Sequence, residues 1–163
     1  MYNAATYSLY VLEKTRENFL HVIDSMTLDS LNTVYPGFNN TGAWNFCHAI
    51  VTSLLVTSGI SGLDTGLSPR ELVKFRKGSS GNVEVSLEEL DGFLNLAKSS
   101  LEEMKEKYNA GSYSAFQPYE TSFGAKLGTI EEALHFAGIH ESLHLGYLMA
   151  IRRASAGNLE LKQ

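Results

Sequence analysis

Residues 140–148 read HESLHLGYL. Within them His140-Glu141-Ser142-Leu143-His144 fits H-E-x-x-H, the pattern in which two helical histidines bind zinc and the glutamate is the general base of a metalloprotease. Residues four apart lie on one face of a helix, so the imidazoles of His140 and His144 can converge on a single ion. Two ligands do not make a catalytic site, because zinc enzymes commonly use three protein ligands and keep a further position for water or substrate. Where the third ligand lies decides what kind of protein this is. In zinc peptidases it follows the motif, yet here no histidine follows His144 and the sole later acid is Glu160. The strand-rich upstream half that would hold a peptide extended is also missing. A peptidase is the weakest of the readings open at this point.

Upstream, Trp44-Asn45-Phe46-Cys47-His48 supplies a third histidine in the first half of a helical segment, with Trp44 one turn before it on the same face. An inward-facing His48 meets the pair on the last helix, and Trp44, Val51 and Leu55 continue that face as an apolar wall. Three helical imidazoles around one open-sided ion suit zinc, nickel or ferrous iron by ligand type. The neighbouring side chains carry blander readings. Adjacent helical residues diverge by ~100°, so an inward His48 turns Cys47 sideways into packing. Glu141 faces the same problem, and is either a general base on a metal-bound water, an acceptor that orients an imidazole, or a structural acid. Tyr147 either donates a hydrogen bond into the pocket or packs. His21 and His135 read as ordinary surface or packing residues.

Four long segments carry helical periodicity. The clearest has Leu87, Leu90, Leu94, Ala97, Leu101, Met104 and Tyr108 in steps of three and four, opened by a Ser86/Glu89 capping box and stopped near Gly111. The first spans about Ala4 to Met26, with Ala5, Leu9, Leu12, Phe19, Ile23 and Met26 on one side. The second runs from about Gly42 to Ser58, after a turn-rich stretch and before Gly59 and Gly62. The fourth opens at Thr129 with Glu132 and runs to about Ala156, accommodating Gly138 and Gly146, each of which costs about 1 kcal/mol against alanine. Ser68-Pro69-Arg70-Glu71 predicts a short extra helix to about Lys77, in the connection between helices two and three. Residues 111–128 are aromatic and irregular, with Tyr113, Phe116, Tyr119 and Phe123 as apolar anchors. These lengths predict an all-α antiparallel four-helix bundle with long connections.

The bulk composition agrees. A chain of 163 residues, 44% hydrophobic and 19% charged, reads as one globular domain over 1–163 that needs no structural metal to fold. A net charge of -5 without a basic stripe argues against nucleic acid. One cysteine excludes an intrachain disulfide and suits a reducing compartment. No signal peptide and no stretch of ~20 apolar residues is evident, so the expected address is cytoplasmic, without a membrane.

Trp-x-x-x-His on the second helix, and His-Glu-x-x-His followed one residue later by glycine on the fourth, resemble the DinB-like superfamily. The match covers nearly the whole chain in helix order and is specific at Trp44, His48, His140, His144 and Gly146. The resemblance implies an up-up-down-down bundle, often a homodimer, with His48, His140 and His144 as ligands of a divalent metal. Related members are thiol-dependent S-transferases or isomerases using low-molecular-weight thiols such as bacillithiol or mycothiol. Many members read His-Arg-Gly-Gln where this chain has His144-Leu145-Gly146-Tyr147, which removes a cation and an amide and bears on substrate more than on metal. The expectation is a metal-dependent S-transferase or hydrolase of small molecules, with substrate selection in the 61–85 and 111–128 connections. The alternative is a non-catalytic metal- or ligand-binding stress-response bundle.

Overall fold

The computed structural model describes residues 3–160, the side chains of 158–160 excepted. The chain is mainly helical: α1 (Ala4–Asp24), α2 (Leu28–Leu31), α3 (Gly42–Leu54), α4 (Pro69–Phe75), α5 (Leu87–Asn109) and α6 (Ile130–Glu160). A π turn, Leu55–Gly59, extends α3, and β1 (Tyr119–Glu120) pairs antiparallel with β2 (Lys126–Leu127). No helix among the described residues is long and apolar enough to cross a membrane.

The helices begin where side chains satisfy the first orphan N–H groups. Asn3 accepts from Thr6 N at 2.8 Å, Thr41 from Trp44 N at 3.1 Å, and Ser68 and Ser86 form full capping boxes with Glu71 and Glu89. At α6 Thr129 caps Glu132 N, but the Glu132 carboxylate reaches Gly128 N instead of closing the expected box. The α1 stripe is buried as its spacing predicts, with Leu9, Leu12, Phe19 and Ile23 in the core. On α5, Leu90, Ala97, Leu101 and Met104 are buried, whereas Leu87 sits at the first turn and is 60% exposed.

Helix α6 packs on α1 and α3, and α5 packs on α1 and α3, so the four long helices close a ring. Their directions follow from paired residues. Ser8 meets His135 and Thr15 meets Ser142, with both numbers rising together, so α1 and α6 are parallel. Asn45 meets His144 while Ser53 meets Glu141, and Lys105 of α5 reaches Glu13 while Arg16 reaches Ala97, so α3 and α5 run opposite to that pair. The order is therefore up-down-down-up, not the expected up-up-down-down. The reason lies in the connections: only residues 60–86 travel the length of a helix, whereas 25–41 and 110–129 return the chain at the end where it left. One crossover, carrying α4, replaces two.

Helix α3 is buried on every side from Gly42 to Val51, as a helix at the centre of a protein must be. Its first turn lies so close to α6 that a Cβ at Gly42 would stand 2.8 Å from Leu148 Cδ1. Phe19 and Phe46 pack with ring centroids 5.5 Å apart, and Phe75 of α4 meets Phe93 of α5 edge-on at 5.0 Å. Gly138 and Gly146 show no such approach: a Cβ at either would meet nothing within 4 Å.

Candidate metal centre

Two registers of α6 meet two different environments. Leu134, Ala137, Glu141 and Leu148 turn to the core and are completely buried. Phe136, His140, Leu143, His144 and Tyr147 turn to a pocket of about 480 Å³. The H-E-x-x-H pattern thus splits, histidines one way and glutamate another, because successive helical residues diverge by ~100°.

His48 on α3 faces the pair on α6. The rings of His48 and His144 are 4.9 Å apart, those of His48 and His140 5.4 Å, and those of His140 and His144 4.6 Å. One nitrogen from each lies within 4.8 Å of the other two. Two of the rings are aimed by backbone and amide oxygens. His48 Nδ1 lies 2.7 Å from the Phe75 carbonyl at the end of α4, and His144 Nδ1 lies 2.8 Å from Asn45 Oδ1. Each Nδ1 therefore carries the proton and donates it, which leaves Nε2 unprotonated, that of His48 with the Thr52 hydroxyl 3.5 Å away. His140 Nδ1 is buried with no hydrogen-bond partner. Trp44 stacks on His48, with centroids 4.5 Å apart and planes 7° from parallel, and its Nε1 donates to Ser79.

Burial holds all three imidazoles neutral. It lowers the pKa of His48, and with added repulsion from neighbouring imidazoles it takes His140 down to about 4 and His144 to about 3. Three converging, uncharged imidazoles, one with an orphaned buried nitrogen, fit a divalent cation as donor set, since a histidine ligand must be deprotonated.

Glu141 does not reach this site. Its carboxylate accepts from Arg16 Nη2 at 2.8 Å, from Arg16 Nε at 3.1 and 3.2 Å, and from Ser53 Oγ at 2.5 Å. Arg16 Nη1 donates to the Ala97 carbonyl at 2.7 Å and to Ser100 Oγ at 3.0 Å. The general-base expectation for Glu141 is corrected by this arrangement: it is a buried ion-pair partner joining α1, α3, α5 and α6. The third imidazole also comes from upstream, so neither feature of the peptidase motif is present.

Tyr147 lines the pocket, and its hydroxyl accepts from Asn39 N at 3.2 Å while its ring meets Phe38 edge-on. Trp44 stands behind His48 and is not part of the lining. Cys47 is wholly buried, and desolvation pushes its thiol well above the ordinary range. From the 111–128 segment, the hairpin delivers Tyr119, Thr121, Ser122 and Phe123 to the rim, while Tyr113 is taken into the core. The 61–85 connection contributes Lys77 and the Phe75 carbonyl. The π turn starts where α3 meets the pocket and places Leu55 and Val56 in its wall, a common setting for such turns.

Sequence reasoning passed over Asn45 and Arg16, although both carry a legible signal. Arg16 falls in the core register Leu12, Arg16, Phe19, Ile23, and Asn45 lies one turn before His48. A polar residue at a buried register position needs a partner. The Phe75 carbonyl, being backbone, left no mark in the residue types.

No curated protein and no solved structure matches the chain. The family model described as the DinB superfamily matches residues 11–148, a span that takes in all three histidines and both residues that aim them. With its helices and its histidine cluster, the chain belongs to the DinB superfamily.

Proposed function

We propose that the protein is a metal-dependent enzyme acting on small molecules, an S-transferase or a hydrolase, with His48, His140 and His144 holding a divalent ion. The observation that carries the reading is the convergence of three neutral imidazole nitrogens within 4.8 Å at the floor of a pocket large enough for a small substrate. A divalent ion there would lower the pKa of a bound water or thiol and supply the nucleophile at neutral pH. The protein's own part is to hold His48 through the Phe75 carbonyl and His144 through Asn45, and to exclude water with Phe123, Phe136 and Tyr147. We take zinc, nickel and ferrous iron as the candidate metals and a low-molecular-weight thiol as the candidate cosubstrate. A single domain over 1–163, a homodimer and a cytoplasmic setting complete the proposal; one continuous hydrophobic cluster supports the first of these.

One observation favours the second reading, a non-catalytic metal- or ligand-binding bundle: among the described residues no carboxylate lines the pocket, and Glu141 is engaged elsewhere. The two are separated by one set of samples. Untagged protein is expected to carry about one equivalent of metal, measured by plasma mass spectrometry, and His48→Ala to lose it while keeping its helical circular dichroism. Metal-dependent consumption of a thiol or an ester that disappears with His48→Ala supports the enzyme. Metal without turnover across thiol and ester panels supports the binding module, and a His48→Ala variant that keeps its metal overturns the ligand assignment.

A further inference from the structure

The pocket wall has a charge pattern that the chain as a whole does not. The protein carries a net charge of -5, yet among the described residues Lys77 is the only Lys, Arg, Asp or Glu that lines the pocket. Lys77 follows α4, three residues beyond Lys74, whose ammonium is held 2.8 Å from Glu89. Among the described residues Lys77 itself makes no ion pair. Its amine is a compact point charge on a flexible stem, available to a ligand from the rim. The same lining carries aromatic rings: Phe123 is 69% exposed and Tyr119 46% exposed on the hairpin, and Phe136 stands between Phe123 and His140. Exposed aromatic rings facing a concave wall mark a binding surface for an apolar group.

We propose that this pocket takes a small organic anion with an apolar or aromatic body, its charge set against Lys77 and its body against Tyr119, Phe123 and Phe136. The assignment deepens the reading of the site as a metal-dependent small-molecule enzyme, and rests on it for the location of the reacting end. A carboxylate drawn to Lys77 leaves the far end of the molecule at the histidines, so the substrate is one whose acidic group is a handle rather than the group transformed.

The test compares phenylacetate with its neutral isostere phenylacetamide, titrated by protein-observed NMR into the metal-reconstituted full chain, into Lys77→Gln and into His48→Ala. Phenylacetate is expected to bind more tightly by about two- to fivefold, the scale of an exposed ion pair. That preference should vanish in Lys77→Gln, whose metal content stays that of the parent. Equal affinities in the parent overturn the proposal. So does a preference that survives Lys77→Gln and disappears in His48→Ala, because the carboxylate is then drawn to the floor of the pocket. Metal analysis of the same samples reports separately on the underlying reading: a Lys77-dependent preference in a parent that takes up no metal leaves the anion subsite standing and removes the metal centre.

Discussion

At the scale of single residues, the largest consequence belongs to Arg16 and Glu141. Both are buried almost completely, at 3% and 0% exposure, and each nitrogen of the guanidinium donates to at least one acceptor. Removing one partner leaves the other charged in a place water does not reach. Arg16→Ala is expected to cost about 3–5 kcal/mol in urea unfolding, whereas the double replacement Arg16→Met with Glu141→Met should recover most of that loss, since well-packed apolar pairs often replace buried ion pairs without penalty. A double variant as unstable as Arg16→Ala alone would mean that the loss comes from packing around the guanidinium stem and not from an uncompensated charge.

At the scale of elements, α6 shows how far residue spacing reads and where it stops. The Thr129 and Glu132 opening and the run to about Ala156 announced the helix, and the two histidines at i and i+4 announced a shared face. Gly138 and Gly146 could be read as close packing, as ligand approach or as simple tolerance, and their open Cβ positions fit tolerance. Gly146 is exposed in the helix interior, so Gly146→Ala should stabilise the protein by about 0.5–1 kcal/mol in thermal or urea unfolding. A loss of stability there would reveal a neighbour at that position, such as a second copy of the chain. The short elements were not legible. Helix α2, one turn long, and the two-residue strands of the hairpin lie below the length at which periodicity registers, and the π turn differs from the preceding helix only in its hydrogen bonds. The three converging histidines were readable because histidine is rare and two of them repeat a helical face. The oxygens that aim them were harder to read: one belongs to the backbone and leaves no mark in the residue types, and the other belongs to Asn45, whose one signal is a polar side chain a turn before His48.

At the scale of the whole molecule, the histidine cluster ties stability to pH. His140 titrates at about 4 and His144 at about 3 in the folded protein, against about 6.5 in an unfolded chain. Above about pH 6.5 both states are neutral and nothing is lost. Below it the unfolded chain takes up protons that the folded one refuses, so folding stability falls as pH falls towards 4, by at most about 1.4 kcal/mol per pH unit for each histidine. Urea midpoints of the metal-free protein between about pH 7 and about pH 5 should show this slope, and His140→Ala should flatten it. An unchanged midpoint over that range would mean that the three rings are better solvated than their burial implies. The direction of the helices, by contrast, depends on which connection is long enough to cross the molecule. Segment lengths alone left that open between 25–41 and 60–86.

The Arg16–Glu141 pair, finally, divides the molecule by timescale. It joins α1, α3, α5 and α6 at the level of His140, so the backbone amides of α6 near Glu141 are expected to be among the best protected in a hydrogen-exchange measurement. The Tyr119–Leu127 hairpin, closed by few hydrogen bonds over mostly exposed side chains, opens far more often. The rim of the pocket can therefore loosen while the four-helix frame that fixes the histidines at its floor stays closed.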